Sequence, residues 1–235
     1  MKELSPGNRL IDAMDAEDRK ALLAGAAIME FPQGHVFYEP GGAIDHLHFI
    51  ETGICSAVAV LEDGRTVETV MIGAEGVTGV VAALVPNRSH TRNVAQVGGS
   101  ARRVEAARFR ALAAERPSIR AVVATYLATL QSELEQSAAC NALHRAEQRF
   151  AKWLLRCHDR VQGDILNLTQ EYLAAMLGSQ RTTVNEAAQA LQKSGAITYS
   201  RGRITVLDRA ALERVACECY RSTDTFHDQG ARRGG

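Results

Sequence analysis

The sequence predicts an α+β chain in three stretches: a jelly-roll-like β-roll, then a long helix, then a small helical module closed by a hairpin. Three observations carry this. Between Ile28 and about Val104, short runs with partial alternation are separated by glycine-bearing turns. After Pro117, apolar residues recur at three- and four-residue steps over about five helical turns. From Thr169, two short helical patterns meet at Gly178 and are followed by the alternating "AITYSRGRITVLD".

Taken in order, residues from about 8 to 25 read as a short helical lead-in on an imperfect stripe of Leu10, Ile11, Met14, Ala21, Leu22 and Leu23. The runs "HVFYE", "HLHFIE", "CSAVAV" and "VETVMI" are strands, bounded by Gly34, Gly41-Gly42, Gly53, "EDGR" and Gly73. Many short strands at turn spacing give a sandwich, roll or barrel. Beyond Pro117, Ile119, Val122, Val123, Tyr126, Leu127, Leu130 and Leu134 form the helical stripe. Such a stripe packs either on its own roll or on a second copy. Its regularity suits parallel pairing, so Val123, Tyr126, Leu127, Leu130 and Leu134 are the expected dimer interface. A further helix runs from about Leu143 to Arg160, with Phe150, Trp153, Leu154 and Cys157 inward, until "VQGDILN" breaks it. The expected domains are residues 1–116 for the roll, 117–142 for the dimerisation helix and 143–222 for the C-terminal module. The tail 223–235 is polar, glycine-ended and expected to be disordered.

Composition narrows the function. Across 235 residues, 27 basic side chains balance 27 acidic ones, which alone points to no nucleic acid and no membrane. The charge is nevertheless segregated. Residues 1–116 hold 12 basic and 15 acidic residues, whereas residues 144–207 hold 9 basic and 5 acidic. No apolar run approaches the roughly 18 residues of a membrane helix, and "MKELSPGNRL" lacks a signal-peptide core, so a cytoplasmic location is expected. Five irregularly spaced cysteines fit buried small hydrophobes rather than a disulfide framework.

The C-terminal module carries the chemistry. Thr169 is the expected N-cap of a helix bearing Leu173, Met176 and Leu177; Gly178 ends it, and Ser179 or Gln180 starts the next. Two helices across a tight glycine turn form a helix-turn-helix, and a hairpin around Arg201-Gly202 makes it a winged helix. In the second helix Val184, Ala187, Ala188 and Leu191 face inward, leaving a polar face outward. Such a helix enters the DNA major groove, where Arg suits guanine, Asn and Gln suit adenine, and Glu accepts from cytosine. The expected DNA contacts are Ser179, Gln180, Arg181, Thr182, Thr183, Asn185, Glu186 and Gln189. Arg201 and Arg203 on the wing suit phosphates. A solvated polar face on a helical interaction domain is the bland alternative.

This order, with "FPQGHVFYEPGGAIDHLHFIETG", "LTQEYLAAMLGSQRTTV" and "YSRGRITVLD", resembles the Crp/Fnr family of bacterial transcription regulators over nearly the whole chain. Gly178, Arg181, Thr183 and Val184 match the family's recognition-helix pattern. The resemblance implies a homodimer paired along its long helices, binding double-stranded DNA at a near-palindrome. RNA polymerase and a small-molecule effector are the implied partners. Thr182 and Glu186 depart from the Glu and Arg that family members often carry there, so the docking mode transfers and the DNA sequence does not.

The matching effector pocket would use Gly73, Glu75, Gly76, Arg92, Asn93, Leu134 and Glu135. The cyclic-nucleotide cassette of the family, Gly-Glu followed by Arg-Ser/Thr-Ala, is not reproduced. Ala74 interrupts the first pair, Arg88 precedes Ser89 and His90, and Arg92 precedes Asn93. With Glu135 where cyclic-AMP members keep a hydroxyl, cyclic AMP is not the expected effector. The family's iron–sulfur members carry an N-terminal cysteine cluster, and here no cysteine precedes Cys55. A haem needs only one or two axial ligands, which His35, His46, His48, His90, His144 or His158 offer, but lone histidines are more often structural. No cofactor and no metal are therefore expected, and no catalytic residues.

Two further clusters compete with that view. His46 and His48 share a strand face with Glu51 just beyond, resembling the metal ligands of a cupin enzyme, which makes a metal-dependent enzyme or metal sensor the alternative function. Cys217 and Cys219 lie about 200° apart on an ideal helix, and only a frayed end brings them together, with Cys157 or His158 near.

Overall fold

Alternating apolar residues and turn glycines build the roll. The computed structural model describes residues 7–221, with Gln170 and Glu171 described in their backbone only. Strands β1 (Ala26–Phe31), β2 (Val36–Tyr38), β3 (His46–Ile50), β4 (Ile54–Val60), β5 (Thr66–Ile72), β6 (Val77–Thr78), β7 (Arg92–Val97) and β8 (Gly99–Glu105) form two four-stranded sheets, ordered β1-β8-β3-β6 and β2-β7-β4-β5. Leu47, Phe49, Val77, Val104 and Phe109 fill one apolar cluster, and Phe31, Ile50, Cys55 and Ala95 another. Gly53 turns the chain at φ +81, and a Cβ there would meet the Val97 and Gly98 carbonyl oxygens at 2.7 Å, which explains why only glycine fits.

The lead-in is two helices rather than one: α1 (Arg9–Asp12) and α2 (Ala16–Leu23). Asp15 separates them, its carboxylate accepting from the Asp18 N–H at 2.8 Å as an N-cap. A helix the periodicity did not reveal, α3 (Ala106–Glu115), follows β8 and buries Phe109 and Ala113 on the roll. Its apolar face is two short turns of small residues among arginines, too weak a stripe to stand out in sequence.

The long helix α4 spans Pro117–Leu143, and here the expected dimer seam needs correction. Ile119, Val123 and Tyr126 are buried in the chain's own roll, and Leu127 and Leu130 pack against the same cluster. Tyr126 lies so close to the β5–β6 turn that a Cβ at Gly76 would stand 2.4 Å from its hydroxyl. Leu134, by contrast, is exposed. The outward face of α4 is made of small and polar residues instead: Ala121, Ala124, Ala128, Gln131, Glu135 and Ala138.

The chain divides into two compact units. Of the described residues, one unit takes 7–59 and 69–132. The other takes 60–68, the end of the β4–β5 hairpin, together with 133–221. In this second unit α5 (Ala146–His158) packs on α7 (Arg181–Lys193) and α8 (Arg209–Val215). Phe150, Leu154, Val184, Leu191 and Leu212 are fully buried there. No helix among the described residues is long and apolar enough to cross a membrane. The expected disordered tail, 223–235, lies outside the described residues.

Candidate nucleic-acid interface

The second unit is assembled around a helix-turn-helix. After β9 (Ile165–Asn167), Thr169 caps α6 (Gln170–Leu177), its hydroxyl accepting from the Tyr172 N–H at 3.1 Å. Gly178 ends α6 at φ +56, where a side chain would be strained and its Cβ would meet Val67 at 2.9 Å. The cap and the stop fall where the sequence placed them, whereas α7 begins at Arg181, just beyond the expected Ser179 or Gln180, with Gln180 as its N-cap residue.

One of the expected DNA contacts is already committed. Ser179 is half-buried, and its Oγ accepts from Arg149 Nη2 at 2.7 Å while its own hydroxyl donates to the Leu177 carbonyl at 3.2 Å. Arg149, which no sequence motif marks out, thereby fixes the turn from α5. The signal available was that no acidic residue stands three or four positions from it on that helix.

The remaining candidates are accessible. Gln180, Arg181, Thr182, Glu186 and Gln189 are exposed, with Thr183 and Asn185 half-buried on the flank. Val184, Ala187, Ala188 and Leu191 face inward and hold the helix to its unit. The wing is β10 (Ile197–Ser200) and β11 (Arg203–Val206), joined by Arg201 and Gly202, with β9 completing a three-stranded sheet in the order β10-β11-β9. Gln192 Oε1 accepts from the Tyr199 N–H at 2.8 Å, tying the end of α7 to the wing. Arg201 has φ +50, a left-handed conformation that side chains other than glycine seldom adopt, and Gly202 has φ +74. The pair makes the two-residue turn that a right-twisted hairpin needs, with an exposed cation at its tip where Asn would be easier on the backbone. Arg181, Lys193, Arg201 and Arg203 are all exposed, so α7 and the wing present four cations against the single exposed acid of α7, Glu186.

Three of the expected effector residues in the roll, Glu75, Arg92 and Asn93, are engaged by neighbouring side chains or backbone. Glu75 is buried; its Oε1 accepts from the Gly73 N–H at 3.0 Å and its Oε2 pairs with Arg9 at 3.3 Å. Arg92 pairs with Glu39 at 2.8 Å, and buried Asn93 donates to the Thr91 hydroxyl at 3.0 Å. Leu134 and Glu135 are exposed and belong to the second unit rather than the roll.

The cupin-like reading fails on its ligands. His48 is buried with its Nδ1 at 2.9 Å from the Tyr38 hydroxyl, and burial pushes its imidazole down to about 3. Glu51 is bound by Arg102 at 2.8 Å. Among the described residues the histidines of β3 belong to no group able to hold a metal ion; the group that qualifies is Cys140, His144, Cys217 and Cys219. Cys217 and Cys219 therefore meet Cys140 and His144 rather than Cys157 and His158, because α8 ends at Val215 before either cysteine. His158 instead pairs with Asp164 at 2.8 Å.

A helix-turn-helix with a basic two-residue wing is a DNA-binding module, and comparison with known proteins gives the family. Residues 148–215 match the Crp-like helix-turn-helix domain and residues 28–116 the cyclic nucleotide-binding domain. The chain is 26% identical over 197 residues to the CRP-like cAMP-activated global transcriptional regulator of Mycobacterium tuberculosis, covering 80% of this chain and 87% of the relative. Among solved structures, FixK2 from Bradyrhizobium japonicum is similar with a TM-score of 0.69 at 18% identity, covering 82% of this chain and 98% of that one. A CRP-family transcriptional regulator from Thermus thermophilus has a TM-score of 0.68 at 23% identity, covering 80% and 96%. The chain belongs to the Crp/Fnr family. It is a DNA-binding transcriptional regulator with a cyclic-nucleotide-binding-type domain, and not an enzyme.

Proposed function

We propose that the protein acts as a homodimer that binds a near-palindromic promoter site through α7, under the control of an effector other than cyclic AMP. The observation that carries the reading is the outward face of α7, where Thr182, Asn185, Glu186 and Gln189 sit beside the cations of the wing. Helix side chains read base edges in the major groove, while Arg201 and Arg203 hold phosphates and set register. A dimer presents two such helices to half-sites about one DNA turn apart.

The pairing surface is the small-residue face of α4, Ala121, Ala124, Ala128 and Ala138, which lets two helices approach closely. Leu134 on the same helix adds exposed apolar area. RNA polymerase is the partner a promoter-bound regulator of this kind would engage. The Mycobacterium tuberculosis relative is cAMP-activated by its name, but here Glu75 is held by Arg9 and Arg92 by Glu39, which leaves the cyclic phosphate without its anchor. The reading invokes no haem or iron–sulfur cluster. Selection from randomised duplexes tests it: a two-fold symmetric motif is expected, and recovery of an unrelated or asymmetric sequence would overturn the dimeric reading.

A further inference from the structure

Cys140, His144, Cys217 and Cys219 come together at the end of α4 and the segment after α8, all within the second unit, with ligand atoms lying within 4.8 Å of one another. Cys140 and His144 are four residues apart and so share one helix face. His144 prolongs the last turn, its N–H donating to the Cys140 carbonyl at 3.1 Å. Past Val215 the backbone leaves the helix at Ala216, with ψ 146, and a reverse turn follows in which the Tyr220 N–H donates to the Cys217 carbonyl at 3.0 Å. That turn aims both later sulfurs inward. The three cysteines are buried and not in disulfides; Cys140 Sγ and Cys217 Sγ are 3.6 Å apart, and Cys219 Sγ is 3.5 Å from His144 Nδ1.

We propose that these four residues form a closed tetrahedral zinc site, with the thiolates of Cys140, Cys217 and Cys219 and Nδ1 of His144 as ligands. Three thiolates and one imidazole are a donor set zinc takes in structural sites. Zinc–sulfur bonds of about 2.3 Å place tetrahedral sulfurs about 3.8 Å apart, close to the separation already present. The shell around the ligands is built as metal sites are built. His144 Nε2 faces Glu218 Oε1 at 3.2 Å, which holds a proton on that nitrogen and leaves the Nδ1 lone pair for the ion. Gln136 Nε2 donates to Cys219 Sγ at 2.9 Å. A dication with three thiolates carries one net negative charge, and the buried ammonium of Lys152, which acts on all three sulfurs, offsets it.

Binding displaces to solvent the protons of those thiols that still carry one, and no electron is transferred. Four protein ligands leave no open position for water or substrate, so the ion serves structure. It fastens the end of the long helix to a segment 77 residues further on, beyond the wing.

The test uses the full chain, purified from zinc-supplemented cells and desalted. One zinc per chain by elemental mass spectrometry is expected, lost in Cys140→Ser and Cys219→Ser and kept in Cys55→Ala. Glu218→Gln should weaken zinc about 10-fold. Cobalt(II) in place of zinc should show thiolate-to-metal charge transfer and the intense visible bands of tetrahedral coordination. Because the serine variants can misfold, alkylation of the wild type gives an independent reading: Cys140, Cys217 and Cys219 should be protected by zinc and released by a chelator, with Cys55 and Cys157 unchanged by either. Far less than one zinc per chain, a six-coordinate cobalt spectrum, alkylation indifferent to chelator, or a Cys140–Cys217 disulfide in freshly purified protein would each overturn the proposal.

Discussion

Arg149 Nη2 donates to Ser179 Oγ at 2.7 Å and to the Leu177 carbonyl at 3.2 Å, so one guanidinium grips both sides of the turn that sets α7 against α6. Its Nη1 meanwhile donates to Asn141 Oδ1 at 3.0 Å. Arg149→Ala should cost about 1.5–3 kcal/mol of stability, the range for hydrogen bonds to a charged group, read from urea unfolding. Arg149→Lys should recover only part, since a single ammonium cannot span the same acceptors. Wild-type stability in the alanine variant would refute the clamp.

Base choice and affinity should separate between helix and wing. Glu186→Ala should cost the preferred site about 1–3 kcal/mol and leave nonspecific binding equal or tighter, because an acid near phosphates is gone. Arg203→Ala should weaken every sequence alike and reduce the salt slope by about one phosphate's worth. Selections with both variants at two salt concentrations check this; an unchanged motif for Glu186→Ala with a rewritten one for Arg203→Ala would show that α7 is not the reader.

Oligomeric state should respond to the outward face of α4 and not to its inward one. Ala128→Arg places a large cation on an exposed position, so the monomer fold should survive while sedimentation shifts from dimer to monomer. Leu130→Asp would instead disturb the roll against which Leu130 packs, lowering the unfolding midpoint as well. A wild-type protein that sediments as a monomer at micromolar concentration removes the dimer altogether.

Cyclic AMP and cyclic GMP should bind no tighter than about 0.1 mM, near 5.5 kcal/mol. Titration calorimetry measures this directly, and micromolar affinity abolished by Arg92→Ala would contradict it.

His48 should make the roll acid-sensitive. Burial first, then the charges of His46, Arg103 and His35, hold its imidazole down to about 3 from an ordinary 6.5, with Tyr38 and Thr78 bonded to its Nδ1. The unfolded chain takes up that proton more readily, so stability is full above the ordinary histidine range and declines as pH falls from about 6.5 toward 3. The loss should amount to a few kcal/mol at most, about 1.4 kcal/mol for each tenfold difference in proton affinity between the two states. His48→Asn should flatten that part of the unfolding profile measured by circular dichroism, and an unaltered slope would count against a buried neutral imidazole.

Local rules were legible in the sequence because they act within a few residues: the Thr169 cap, the Gly178 stop and the Arg201-Gly202 turn each follow from one or two side chains. What covers an apolar stripe is a different kind of fact. Ile119, Val123 and Tyr126 announce a buried face but not its partner, which proved to be the chain's own roll. The partners of the expected effector residues were hidden for a similar reason, since the ion pairs of Glu75 with Arg9 and of Arg92 with Glu39 join positions far apart in the chain. Cys217 and Cys219 were judged by helix phase, and the phase argument lapses where the helix has already ended.

Trp153 is the chain's lone tryptophan; it is buried, and its Nε1 donates to Glu68 Oε1 at 2.9 Å. Glu68 comes from the hairpin end that groups with the second unit although its strands belong to the roll. The molecule thus carries its own fluorophore against the hairpin end, residues 60–68, within the unit that contains the helix-turn-helix. Any signal that frees residues 60–68 would hydrate the indole and redden its emission, so effectors of any chemistry can be screened optically with neither a label nor a promoter.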